Sequence, residues 1–420
     1  MGGADAIVVG AGAAGIAAAR RLHDAGLDVM LVEAGDRLGG RARSVHIQGM
    51  AIDLGCGWLH SARRNPWTPL AETYGFTVDR SPANWRAQWR DLGFPPEEQQ
   101  AYAQAWSRWQ KAAHAALDGP DQPLSSFIAP DDPWRPLIDA ISGYANGAPL
   151  AQVSLHDWAA YEDAATDDNW AVREGYGTLV ARHAQDVAVQ LDTVVSRIDH
   201  RGPVLKIETN RGTIETRAAI MCVPTTALAE EGLVFDPPLP QKHEAATALP
   251  LGLADKVYLR VDGVELPNNG HLVGDPHSNH TASYRLGPFG LPLIECFFGG
   301  DCAEALETEG DGAAADFAIR ELVALLGSEW RNRLTPLVTT RWRAEPHIHG
   351  SYSHARVGAA AQRAVLAAPV DDRLFFAGEA CSRTDFSTAH GAYETGIDAA
   401  RALIGTLPVA NRFTTPASLA

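Results

Sequence analysis

Gly10-Ala-Gly12-Ala-Ala14-Gly15 sits between a continuous apolar run, Ala6-Ile-Val-Val9, and a stretch of helix-forming composition over 16–25. No other feature limits the fold so tightly. An unbroken apolar run bounded by a glycine turn suits a parallel strand buried on both faces. The glycines permit a tight turn, a close backbone approach to a ligand, and packing of helix on strand. Gly26 stops the helix, 28–32 reads as a second strand, and Glu33 closes it. A helix starting after such a turn offers free N–H groups and a positive dipole end to phosphate. An acid at position 33 can accept hydrogen bonds from ribose hydroxyls, where a 2′-phosphate would call for a cation. Strand, turn, helix, strand and acid in that order read as a dinucleotide site; the competing reading is a purely structural turn.

The remaining bulk must do something else. At 420 residues the chain exceeds one compact core, so two domains are expected. A net charge of −16 argues against a nucleic-acid partner and suits a cationic ligand, although acidity also serves solubility alone. Five cysteines (Cys56, Cys222, Cys296, Cys302, Cys381) without CxxC spacing point to a reducing compartment, hence to a cytoplasmic protein. The early apolar run is too short for a signal or a membrane span.

From 67 to 170 the βα alternation gives way to a tryptophan-rich, Pro-bounded stretch with a helix over 96–117, an inserted helical lobe whose tryptophans read as core. Strand-like runs return at 187–198, 204–209, 213–216 and 219–223. Further strands are expected at 256–261 and 374–377, and helices at 313–326 and 389–403.

The choice between FAD and NAD turns on Glu33-Ala-Gly-Asp-Arg37-Leu-Gly39-Gly40-Arg41, where a second glycine pair and flanking arginines add amides and cations beside a pyrophosphate. This run resembles the extended signature of the flavin-containing amine oxidases. The likeness recurs along almost the whole chain and is faint only in the helical insert. Asp53-Leu-Gly-Cys-Gly57-Trp58-Leu-His60, followed by Asn65-Pro66, is similar to the family's segment passing the isoalloxazine. Glu174-Gly-Tyr-Gly177 resembles its second glycine turn, Val195 falls where backbone holds the adenine, and the strand ending in Pro224 lies beneath the cofactor in relatives. Arg341-Trp342-Arg343 and Gly350-Ser-Tyr352-Ser353 look like its active-site wall. Phe375-Phe-Ala-Gly378-Glu379 resembles its ribityl- and phosphate-contacting segment, and Thr388-Ala389-His-Gly-Ala392 its helix under the pyrimidine end of the flavin.

The resemblance implies an α/β fold: a discontinuous Rossmann-like FAD-binding domain of the glutathione-reductase 2 type (1–66, 171–238 and 343–420). An inserted α+β substrate domain would occupy 67–170 and 239–342. It implies Lys256 hydrogen-bonded through water to flavin N5, against the plainer reading of a solvated lysine at a strand end. Tyr352 and Thr388 would flank the substrate cleft. One ring and one threonine stand nearer the polyamine-oxidising members than the two rings of monoamine oxidases. Trp342 would pack on the flavin or serve as ordinary core, and His60 would face substrate or merely pack. Ser351, where flavinylated relatives carry Cys, implies non-covalent FAD. The implied reaction converts an amine, O2 and water to carbonyl, amine and hydrogen peroxide, in a monomer or homodimer. His347, His349 and His354 do not make a metal site. An L-amino-acid oxidase with Arg86, Arg90 or Arg343 as carboxylate anchor, a C–C desaturase, and a non-catalytic flavin-binding interaction protein stay open.

Overall fold

Ala6 and Val8 leave the first strand toward one face and Ile7 and Val9 toward the other, and all four are buried. The computed structural model describes residues 4–230 and 232–407. That first strand, Ala6–Val9, is the centre of a wholly parallel sheet ordered Leu374–Phe376, Ala218–Met221, Ala6–Val9, Val29–Val32, Ala188–Gln190. One face carries the helices Ala13–Asp24 and Ala389–Thr406, joined through Ala14, Ala18, Ala400 and Leu403. They meet almost backbone to backbone: a Cβ on Gly396 would lie 2.2 Å from the Ala14 carbonyl oxygen. The other face rests on a second sheet through Ile198, Leu205 and Ile207.

Two local readings change. The first helix begins at Ala13, not at 16, because Gly12 caps it in extended conformation and Gly15 belongs to its first turn. A Cβ at Gly15 would stand 1.8 Å from the Gly10 carbonyl oxygen, so only glycine lets helix and strand touch here. The run 187–198 is two strands in two sheets, Ala188–Gln190 and Val195–Asp199. Between them Asp192 takes a left-handed φ of 49°, and the Asp192 and Thr193 N–H groups donate to the Gly35 and Glu33 carbonyls.

An antiparallel sheet ordered Gly270–Val273, Ser283–Leu286, Leu293–Gly299, Ala254–Val261, Leu334–Thr339 forms the second large unit. The helices Asp301–Glu309 and Ala313–Leu326 cover one side through Leu306, Ala318 and Leu322. Toward the segment 50–54 the other side presents Tyr258 and Leu293. The insert is helical as read, with Pro96–Ala115, Arg135–Asn146 and Leu155–Ala164 closing on Trp109 and Trp158. Its tryptophans are core with one clear exception: Trp85 is 42% exposed.

Candidate active site

Where the two glycine turns meet, Gly39 donates to the Ala11 carbonyl at 2.8 Å, and a Cβ on Gly40 would lie 3.2 Å from the Gly12 Cα. Glu33 braces the junction: one carboxylate oxygen accepts the Ala11 N–H at 2.6 Å, the other the Gly35 N–H at 2.8 Å. Among the described residues no side chain caps the helix at Gly12, and a Cβ built there meets nothing within 4 Å. The same holds at Gly378, whose φ is 146°. An uncapped helix N-terminus opening on free space is what a pyrophosphate needs. The donor set fits a dinucleotide.

The other expected cofactor contacts gather around this junction. Arg37 donates to the Gly40 carbonyl at 2.7 Å. Arg41 donates to the Ser351 carbonyl at 2.7 Å and pairs with Glu379 at 2.8 Å. Buried Glu379 also accepts from the Ser353 hydroxyl and the Ser387 N–H. Burial pushes its carboxyl up, Arg41 and Arg363 pull it down, and the net shift is down. Pro224, Gly378 and Glu379 line one small space with Arg41. Val195 opens its strand two residues after Thr193, whose N–H donates to the Glu33 carbonyl. Ala389 accepts the Trp67 indole N–H, and Ala392 packs with Ala14 in the helix core.

The chemistry-bearing residues converge from both units. Asp53 joins segments far apart in sequence, its carboxylate accepting the Tyr176 and Gly177 N–H groups. The Asp53 carbonyl accepts the Lys256 ammonium at 3.1 Å and the Tyr258 hydroxyl at 2.7 Å. Gly57 lies against the same ammonium, since a Cβ there would be 3.4 Å from Nζ. Lys256 is buried rather than solvated at a strand end. Trp342 is buried too; its N–H donates to Asp255, and a Cβ on Gly55 would lie 3.3 Å from its ring.

Tyr352 donates its hydroxyl to the Tyr144 carbonyl, and burial pushes that phenol up, so it stays neutral. Thr388 is the N-cap of the last helix: its hydroxyl accepts the Gly391 N–H at 3.0 Å and donates to the Asp385 carbonyl at 2.6 Å. That hydroxyl is committed to the backbone. His60 meets the Asn169 amide oxygen through Nδ1 at 2.7 Å, which places the proton on Nδ1 and leaves Nε2 as an acceptor. Burial pushes this imidazole down to about 4.

Sequence reasoning missed three neighbours. Glu295 pairs with Lys256 at 2.8 Å. Arg285 stacks on the Trp58 ring with its guanidinium 4.2 Å from the centroid. Trp85 meets Trp58 edge-on at 5.1 Å and lies 6.1 Å from His60. One signal for Glu295 was available, a lone acid inside the apolar run Leu293-Ile-Glu-Cys-Phe-Phe298. Arg86, Arg90 and Arg343 are exposed, Arg90 lying over Trp89 and Arg343 paired with Glu304. Among the described residues no group of three or more His, Cys, Asp or Glu could hold a metal ion.

The model of the flavin containing amine oxidoreductase family matches residues 13–404. The chain belongs to that family. Its cofactor is therefore FAD, and its reaction is the flavin-dependent oxidation of an amine. Among curated relatives it is similar to polyamine oxidase 2 of Arabidopsis thaliana, 29% identical over 94% of this chain and 86% of that one. It is also similar to a lysine-specific histone demethylase 1 homolog of Oryza sativa subsp. japonica, 30% identical over 93% of this chain but 53% of that protein. In fold it resembles the cyclohexylamine oxidase of Brevibacterium oxydans, with TM-score 0.77, 21% identity, and 96% and 99% of the two chains covered. A redesigned putrescine oxidase gives TM-score 0.74 at 20% identity over the same shares. These likenesses bear out the α/β fold expected from the glycine turns. Among the described residues no helix is long and apolar enough to cross a membrane.

Proposed function

We propose that the chain oxidises a primary or secondary amine, polyamines among the candidates, at the carbon next to nitrogen. The products are an imine that hydrolyses to carbonyl and amine, and hydrogen peroxide from O2. The carrying observation is the enclosed Lys256 ammonium, fixed between the Asp53 carbonyl and Glu295 and lying against the bare Cα of Gly57. When bound, FAD supplies the hydride acceptor and the route for the electron pair to O2.

The chain's own residues do the rest. Gly12, Gly39, Gly40, Arg37 and Arg41 bind the pyrophosphate, with Glu33, Ala14, Gly15, Val195, Pro224, Gly378, Glu379, Ala389 and Ala392 holding or lining the remainder. Gly57, Trp58 and Trp342 wall the isoalloxazine. Tyr352 and Thr388 close the sides of the cleft, Tyr352 offering an electron-rich ring to a cationic group. His60, kept neutral at neutral pH, accepts a hydrogen bond from the amine through Nε2. The amine loses its ammonium proton by desolvation in this enclosed cleft, so the site needs no stronger base. Five cysteines, none in a disulfide, suit a reducing compartment such as the cytoplasm.

A second reading rests on Arg285. Its Nη2 is buried and without a hydrogen-bond partner among the described residues, beside Trp58. A substrate carboxylate would satisfy it, making the amine an amino acid. Anaerobic mixing of the yellow protein with amines, polyamines and L-amino acids decides between them. Bleaching by amines lacking a carboxylate is expected; bleaching by amino acids alone would favour the second reading, and bleaching by neither class would sink both.

A further inference from the structure

Lys256, Tyr258, Glu295, Phe297 and Arg285 all point from one face of the antiparallel sheet. Strand register places Lys256 opposite Phe297, Tyr258 opposite Glu295, and Glu295 opposite Arg285. Directly opposed residues of an antiparallel pair share a face. On that face Glu295 is a fork: Oε1 lies 2.8 Å from the Lys256 nitrogen and Oε2 lies 3.7 Å from Arg285 Nη1. The side chains of Lys256, Glu295 and Arg285 are 7%, 9% and 11% exposed. Burial pushes the Glu295 carboxyl up, the charges of Lys256 and Arg285 pull it down, and the net shift is down. Charges this enclosed persist only in pairs.

An ammonium has three N–H donors. Glu295 and the Asp53 carbonyl take two of them at 2.8 and 3.1 Å. The Tyr258 hydroxyl, itself donating to Asp53, meets the nitrogen at a long 3.5 Å, and the bare Cα of Gly57 leaves room beside the nitrogen for a closer partner. We infer that Glu295 is a positioning residue, which acts through Lys256 by anchoring the ammonium so that one N–H stays available on the Gly57 side. A swinging lysine in the same place would spread its charge over several rotamers and lose the electrostatic preorganisation on which such a cation depends. The inference rests on the proposed amine oxidation and on Lys256 serving flavin N5 in it, the role that the resemblance implies.

The test uses the FAD-loaded enzyme and its apoprotein with Lys256→Met, Glu295→Gln and the pair together, each checked for flavin content and visible spectrum. Lys256→Met identifies which half-reaction, reduction by amine or reoxidation by O2, depends on the ammonium. Glu295→Gln should slow that same half-reaction about fivefold or more while shifting the amine KM by less than about twofold. In the Lys256→Met background the second substitution should add less than about twofold. Apoprotein melting supplies a readout apart from activity: Lys256→Met leaves the carboxylate, among the described residues, only the longer 3.7 Å ion pair with Arg285, so the double variant should melt higher than Lys256→Met alone. A Glu295→Gln enzyme with native rates, effects that multiply, or a double variant melting no higher than Lys256→Met overturns the inference and leaves the amine-oxidase reading standing. A Lys256→Met enzyme with both half-reactions unchanged removes the lysine's role, and this inference with it.

Discussion

Arg363 grips Asp157 with two prongs, Nε to Oδ1 at 2.6 Å and Nη2 to Oδ2 at 2.8 Å, and the two side chains are 1% and 2% exposed. Asp157 belongs to the helical insert, and its Oδ2 also accepts the Ala355 N–H just past the Tyr352 loop. Arg363 reaches the Ser353 hydroxyl and the Ala380 carbonyl and lies 3.7 Å over the Phe386 ring. Insert, cleft wall and cofactor segment thus hang on one ion pair. Breaking a buried pair on one side costs about 3–5 kcal/mol, because the surviving charge is left without a partner. Arg363→Met should lose stability on that scale in urea unfolding, and adding Asp157→Asn should restore part of it. An Arg363→Met protein of native stability would show that the pair is dispensable.

Two glycines of one motif should respond oppositely to the same methyl group. At Gly15 a Cβ would stand 1.8 Å from a backbone oxygen, whereas at Gly12 it meets no atom of the described residues within 4 Å. Gly15→Ala should therefore lower apoprotein melting, since helix and strand must separate. Gly12→Ala should melt like the parent apoprotein yet bind FAD about tenfold more weakly or worse, because the methyl takes the space above the helix N-terminus. Titrating apoprotein with FAD by visible absorbance checks both. Unchanged affinity in Gly12→Ala would remove the cofactor from that position.

What the sequence disclosed was local. Gly10, Gly15 and Glu33 fall within one strand-turn-helix-strand unit, so their spacing alone carried their meaning. Lys256 was legible by motif. Its partner was not, because Glu295 reaches it only through the register of two strands, and register is a tertiary fact. Arg285 arrives from a third strand for the same reason. The carboxylate anchors considered for an amino-acid oxidase, Arg86, Arg90 and Arg343, all face solvent. Thr388 shows the reverse case, a residue expected by resemblance to line the cleft whose hydroxyl the helix start claims.

Burial pushes His60, His183, His271 and His354 down to about 4 each. In the unfolded chain such groups titrate near about 6.5, so the unfolded state takes up protons first as pH falls. Stability is full above about 6.5 and is lost progressively as pH drops toward about 4. One completed shift of this size amounts to roughly 3 kcal/mol, and the four need not add. Among the described residues, buried His271 has no partner at Nδ1 and only the Ser283 hydroxyl at Nε2. His271→Gln should flatten the acid-side fall in unfolding free energy. Equal slopes for parent and variant would acquit this histidine.

Trp85 supplies the last prediction. Its segment is tied to the edge strand: the Trp89 N–H donates to the His271 carbonyl at 2.7 Å, and the Gln88 amide oxygen accepts the Val273 N–H at 3.0 Å. The Asn84 amide donates to the Asn269 carbonyl at 3.0 Å. A tethered backbone holds the exposed ring edge-on to Trp58 and beside His60, so the insert would give the proposed cleft a fixed aromatic edge. A fixed ring selects by shape: it gains contact area with a bulky apolar amine and almost none with a small one. Trp85→Ala should raise KM for a bulky apolar amine about tenfold and for a short linear amine by less than about twofold. Flavin content and melting should hold, since little of the core is disturbed. Steady-state kinetics with the two amines makes the comparison, and equal changes in both would show that Trp85 does not read substrate shape.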